Sequence, residues 1–252
     1  MKLISKIINF LQRYNKEQKP MSFDDICLLL EQKKDPIIFD VGANAGQSII
    51  RFKKLFPNST IHSFEPLEKE CNSLLLKYKN DNSITINNFA LGDKAERKDF
   101  YISALGTNSS FEKTKLKTIQ NLLKTRKELF GISDDKYIKK IKKTEIQTLD
   151  FYCERNNINK IDILKIDTPG YEDKVIAGAT KLLSTETAIN ILQTDIMFDK
   201  VFEKSMSFFD IEKHLIKNNF RLIALKTSRY KNVFEGYKFS ASLLYQNKKF
   251  IE

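Results

Sequence analysis

The sequence predicts an α/β protein built on a doubly wound, mostly parallel sheet with helices on both faces. Residues 36–48, PIIFDVGANAGQS, run from an apolar β-branched stretch through Asp40 into a loop of small residues and then into helical text. This is the strand, glycine turn and helix that opens a nucleotide-binding α/β unit. Beyond it, strand-like and helix-like segments alternate to the end of the chain, as crossovers in a parallel sheet require. Asp40, Glu65, Asn88, Asp167 and Asp195 fall at the ends of the strand-like segments, where such sheets bind ligands.

Taken in order, an N-terminal helical extension over 1–35 precedes the main domain, with apolar positions at helical spacing in 1–14 and a helical patch at 23–32. Residues 37–40 form the first strand. Gly42 permits a turn without Cβ strain, and Gly46 lets backbone approach a ligand. The helix from Gln47 and Ser48 through 56 points unpaired N–H groups at the same place. Residues 60–64 form the second strand, ending in Glu65 and Pro66, and 69–78 form its helix. Residues 84–89 make a third strand that runs into Ala90-Leu91-Gly92-Asp93. Short strands are expected at 98–103 and 143–147, with an amphipathic helix between them carried by Leu116, Ile119, Leu122, Leu123 and Leu129. Residues 149–156 are helical, and 162–167 read as a buried strand from their β-branched content. Thr168 and Pro169 have the character of N-cap and first helical position, opening a helix over 171–183. A strand at 188–193, a helix at 208–218, and strands at 220–225 and 239–245 complete the main domain, 36–252.

Composition narrows the function. Hydrophobic residues at 41% and aromatics at 11% are values for a packed domain rather than a disordered chain. Cys27, Cys71 and Cys153 show neither pairing nor metal spacing, which fits a reducing, cytoplasmic setting. Two histidines in the whole chain exclude a histidine-based zinc site and a Ser-His-Asp set. The extension is too short and interrupted to span a membrane, leaving at most a surface association. Net charge is +11 and uneven: between Glu112 and Lys143 eleven Lys and Arg stand against four acids, a net +7. That basic insertion is either a solvated face or a seat for phosphate or an anionic glycan.

A carboxylate about 20 residues past a glycine loop accepts both ribose hydroxyls, which is the role Glu65 suits. Asp167 and Asp195 suit a general base, a substrate-hydroxyl anchor or, if a divalent metal is used, its ligands. A turn or cap role is the simpler reading of each taken singly. Tyr171 and Glu172 follow Asp167 closely enough to face the same crevice, which makes Tyr171 a further catalytic candidate beside Asp167 and Asp195. Ser109-Ser110 lies in a polar loop that would close over a cofactor or be an ordinary turn.

In their order, IFDVGANAGQS, FEP, NFALGD, NSSF, TLDFYCERNNINKIDILKIDTPGYE, VIAGATKLL and LQTDIMF resemble the FkbM family of S-adenosylmethionine-dependent methyltransferases. These are class I, Rossmann-like O-methyltransferases acting largely on sugars and polyketide glycosides. The resemblance implies a seven-stranded sheet and S-adenosylmethionine as cofactor. Asp40, Gly42, Asn44 and Gly46 would line its methionine half, Glu65 its ribose, and Asn88 and Ala90 its adenine side, with Ala43, Gln47, Ser48, Pro66, Ser109 and Ser110 also against the cofactor. Asp167 would sit near the transferred methyl, with Asp195 where the family usually has Glu and Pro169 where it commonly has Glu or Gln. The acceptor expected is a sugar hydroxyl, on a nucleotide-activated sugar or a surface polysaccharide precursor. A rival reading, an RNA-binding protein or RNA methyltransferase using the basic insertion, lacks an Arg-rich or aromatic-interleaved stripe, so no nucleic-acid partner is expected. A dinucleotide site would need the spacing G-x-G-x-x-G, whereas only Gly42 and Gly46 are present.

Overall fold

The computed structural model describes residues 21–104, 109–115, 138–197, 202–227 and 240–250. The segment 1–14 and the amphipathic helix expected around 116–129 lie outside them. The chain divides into two compact units, Met1–Gln32 and Lys33–Glu252. In the first, helix α1 (Phe23–Leu30) starts in a capping box: the Ser22 side chain accepts from the Asp25 N–H while the Asp25 carboxylate accepts from the Ser22 N–H.

The second unit runs β1 (Ile37–Val41), α2 (Gln47–Leu55), β2 (Thr60–Phe64), α3 (Glu68–Lys77), β3 (Ile84–Asn87), β4 (Ala90–Leu91), β5 (Glu96–Ser103), β6 (Ile138–Gln147), α4 (Leu149–Arg155) and β7 (Ile161–Ile166). It continues α5 (Glu172–Ala177), α6 (Thr180–Ser184), β8 (Ile189–Met197), α7 (Phe208–Lys217), β9 (Phe220–Thr227) and β10 (Ser240–Asn247). Seven strands form one sheet in the order β3-β2-β1-β7-β8-β10-β9. β10 lies antiparallel to both its neighbours, and the other pairings are parallel. All six residues of β7 are buried, the burial of a central strand covered on both faces. Phe39, Phe64, Leu164, Leu192 and Tyr245 lie in the main core beside this sheet. From β1 the chain winds outward to β2 and β3, then returns to the other side of β1 as β7. The switch point therefore lies at the carboxyl ends of β1 and β7.

Several expectations are corrected. The strand expected over 84–89 ends at Asn87 as β3, and the residues it runs into form β4, which joins a separate sheet ordered β4-β6-β5. The helix expected over 171–183 is two helices, because residue Asp150 takes the groups a continuous helix needs. Its carboxylate accepts from the N–H groups of Lys181 and Leu182, and its own N–H donates to the Gly178 carbonyl. The Gly178 backbone also passes so close to Gly92 that a Cβ there would stand 1.9 Å from the Gly92 oxygen. Thr168 is not an N-cap. Tyr171 N–H donates to Thr168 O across a turn with Pro169 second and Gly170 third at φ +73°, the pattern of a type II turn, and α5 begins only at Glu172.

Candidate active site

Outside the ends of β1 and β7 lies a cavity of about 250 Å³. The glycine loop forms one side, with Gly42, Ala43, Asn44, Gln47 and Ser48 on the wall. Gly42 has φ +84°, and a Cβ on it would meet Asp167 O at 2.1 Å, so the loop can lie against the end of β7 only without a side chain. Asn44 takes φ +47°, a conformation asparagine tolerates. Its N–H donates to Glu65 Oε2 at 2.7 Å, and Leu67 N–H donates to Glu65 Oε1 at 2.8 Å. Glu65, at the end of β2, is thus fixed with both oxygens beside the cavity. Pro66, Ala90, Ser109 and Ser110 also line it. The serines are buried and tied in: Ser110 pairs with Tyr101 of β5 and its hydroxyl donates to Pro169 O at 2.6 Å, while Ser109 Oγ accepts from Ser103 N–H. Residues 105–108 of that loop lie outside the described residues.

Three expected cofactor residues stand behind the wall rather than on it. Gly46 turns toward α3, where a Cβ would meet Leu74 Cδ2 at 2.7 Å, so its small size serves helix packing rather than ligand approach. Asn88 donates from its side chain to the Glu65 carbonyl and supports that strand end. Asp40 is fully buried.

Asp40 leads to a residue that sequence reasoning passed over. Lys165 lies beside Asp40 in the β1–β7 register, and its Nζ is 3.0 Å from Asp40 Oδ1, 3.3 Å from Gly42 O and 3.5 Å from Asp167 Oδ2. Burial depresses the Lys165 ammonium, and Asp40 and Asp167 more than restore it, leaving its pKa above the ordinary lysine value. The signal in the sequence was a lysine inside the otherwise apolar ILKI.

Asp167 follows β7 on the cavity wall with its side chain 46% exposed, the acid most open to an incoming group among those facing Lys165. Asp195 is not a strand-end residue, since β8 runs on to Met197 along β10, with Asp195 opposite Ser242. Burial and the Asp167 charge raise its pKa. Glu172 is buried, and its pKa is raised well above the ordinary carboxylate value by that burial first and then by Asp167, Asp173 and Asp195. Tyr171 lines the cavity, and its hydroxyl, close to Gly92, where a Cβ would stand 3.4 Å from it, is buried without a hydrogen-bond partner among the described residues. Tyr171 thus meets the cavity beside a ring contact with Phe111, in a buried cluster that includes Phe100. No group of three or more His, Cys, Asp or Glu among the described residues is arranged to hold a metal. The Lys165 ammonium, 3.5 Å from Asp167 Oδ2, opposes a divalent ion at that carboxylate.

Burial raises the Glu65 pKa to about 7 against the pull of its two backbone hydrogen bonds. The folded protein thus holds this proton more tightly than the unfolded chain, and ionising Glu65 costs stability as pH rises from the ordinary value of 4.5 toward 7. The ribose-binding role expected for Glu65 wants the carboxylate and has the opposite slope. Calorimetry with S-adenosylhomocysteine should show affinity rising about tenfold between pH 6 and 8, the size of one hydrogen bond to a charged acceptor. Glu65→Gln should bind weakly with no such slope, and a wild-type curve equally flat would remove Glu65 from cofactor binding.

Six parallel strands with β10 inserted antiparallel, a glycine loop at the switch point and an acid ending β2 define a class I, Rossmann-like methyltransferase. A model of the methyltransferase FkbM domain matches residues 40–222, and the chain belongs to that family. It is 24% identical over 201 residues to the 2-O-methyltransferase NoeI of Sinorhizobium fredii, covering 80% of this chain and 79% of that protein. Among solved structures, the methyltransferase FkbM from Methylobacillus flagellatus aligns with TM-score 0.49 at 12% identity, covering 83% of this chain and 44% of that one. A TehB-like SAM-dependent methyltransferase from Corynebacterium glutamicum aligns with TM-score 0.43 at 8% identity, covering 96% and 98%. Membership of the family implies use of S-adenosylmethionine. The wall fits that cofactor: a buried carboxylate of the kind that accepts ribose hydroxyls, and a loop of small residues leading into the N-terminus of α2. No helix among the described residues is long and apolar enough to cross a membrane.

Proposed function

We propose that the protein transfers a methyl group from S-adenosylmethionine to a hydroxyl of a sugar, on a nucleotide-activated sugar or a surface polysaccharide precursor such as those of capsule or lipopolysaccharide. The observation that carries this reading is Asp167: a half-exposed carboxylate on the cavity wall, paired with a buried lysine. The 2-O-methyltransferase name of the Sinorhizobium relative supports oxygen as the acceptor atom. When bound, the cofactor supplies a sulfonium-activated methyl. Asp167 accepts the proton of the acceptor hydroxyl as it attacks, and Lys165 holds that carboxylate in place. Glu65 and the glycine loop hold the donor, the aromatic rings of Phe100, Phe111 and Tyr171 exclude water, and Asp195 assists from behind through the same lysine. Alignment contributes most, about 7 to 11 kcal/mol of the barrier.

The test is radiolabelled methyl transfer to nucleotide sugars, neutral oligosaccharides and RNA in parallel, with and without chelator. Label is expected in a sugar ether, unaffected by chelator. With that acceptor, Asp167→Asn should lower kcat about 10²- to 10⁴-fold while S-adenosylhomocysteine affinity stays within about threefold. Undiminished turnover in that variant would sink the assignment, and label confined to RNA would replace the sugar.

A further inference from the structure

One face of the small sheet walls two spaces. On it Phe100 lines the cofactor cavity, while Ile102, two residues along β5, lines a separate open groove together with its cross-strand partner Lys140 and with Lys142. Two strand residues span about 7 Å, so the groove begins about one sugar ring from the cavity. The two spaces share Leu67, and Ser103 of the groove donates its N–H to Ser109 of the cavity.

Charge in the groove comes from an irregularity. In β6 the register with β5 slips: Ile102 stands opposite Lys140 but Ser103 stands opposite Ile138, leaving Lys139 as an extra residue in a β-bulge. Regular alternation would send Lys139 and Lys140 to opposite faces, whereas the bulge lets both rim the groove. Lys69, from the first turn of α3, faces them, and Lys142 is neutralised by Glu68 at 2.8 Å. With Glu70 included, four lysines stand against two glutamates, an excess that matches the two negative charges of a diphosphate diester.

We propose that this groove binds the diphosphate of the acceptor, with Lys69, Lys139 and Lys140 on the phosphate oxygens and the attached sugar reaching across to the cavity. The inference rests on sugar O-methylation for the sugar half only; the diphosphate half stands on the groove. Two sources share this chemistry, a nucleoside diphosphate ester and a lipid diphosphate, and UDP and geranyl diphosphate separate them.

The experiment is calorimetry of the full chain with inorganic pyrophosphate, UDP and geranyl diphosphate at physiological salt, with S-adenosylhomocysteine as a check on the cofactor cavity. Pyrophosphate is expected to bind. Lys139→Gln/Lys140→Gln should weaken it about tenfold, the loss of two partly solvated charge contacts. The variant's S-adenosylhomocysteine affinity should be unchanged. UDP bound more tightly than pyrophosphate assigns a nucleotide-linked acceptor, and geranyl diphosphate bound more tightly assigns a lipid-linked one. Lys143→Gln is the control, since Lys143 pairs with Asp99 and does not line the groove; it should leave binding unchanged. No pyrophosphate binding, or an equal loss in the Lys143 variant, overturns the groove. Methylation of a neutral sugar without pyrophosphate binding would remove the groove and leave methyl transfer standing. Pyrophosphate binding without any sugar product would do the reverse.

Discussion

Replacing Gly42 with alanine is expected to cost about 2 to 4 kcal/mol of stability, about 1 to 2 of it from left-handed backbone alone. The remainder comes from a Cβ placed 2.1 Å from the Asp167 carbonyl oxygen, a main-chain atom at the end of β7 that moves only if β1 and β7 part. Binding of S-adenosylhomocysteine should be lost with it, because the same parting displaces the loop, Lys165 and Asp167 together. Gly46→Ala is the informative comparison. Its φ, +81°, is as strained, but its Cβ meets the end of the Leu74 side chain, which can rotate away. It should melt above Gly42→Ala and keep measurable binding. Thermal melts and calorimetry of the two decide, and a Gly42→Ala protein melting with the wild type would show that the strand ends are less tightly joined than the structure has them.

Lys165→Met is expected to be still more damaging to the fold, at about 3 to 5 kcal/mol, because it leaves a buried carboxylate uncompensated. Asp40 is fully buried, and the contact of Lys165 Nζ with its Oδ1 at 3.0 Å is what answers its charge. Asp40→Asn/Lys165→Met should recover much of the loss, since it removes both charges. The double variant separates stability from catalysis: folded and able to bind S-adenosylhomocysteine, it should still turn over slowly, because Asp167 has lost the cation beside it. Urea denaturation of the single and double variants checks the first claim, and a single variant as stable as wild type would contradict it.

How much of this was legible in the chain follows from distance along it. The strand, loop and helix of residues 36–48 and the acid at Glu65 were readable because turn chemistry and capping are local. Lys165 was not, since its meaning comes from the β1–β7 register that sets it beside Asp40, 125 residues earlier. Asp195 was placed at a strand end because its own neighbours say so, whereas β8 is prolonged by β10, which arrives some 45 residues later. Closeness to Asp167 in sequence says nothing of where the Tyr171 hydroxyl goes. Its orientation is decided by Gly92, on the strand end that α5 packs against. Lys139 and Lys140 were visible only as charge, and the bulge that turns them to one side belongs to their pairing with β5.

The order of the sheet also dictates a schedule. β10 lies between β8 and β9, both made before it, so during synthesis those two strands wait apart with open edges. Each offers a row of unpaired N–H and C=O groups to any passing strand. Until residues 240–247 leave the ribosome the sheet lacks the strand that joins its last member, β9, and the protein passes through a stage at which protection from other chains matters more than its final stability.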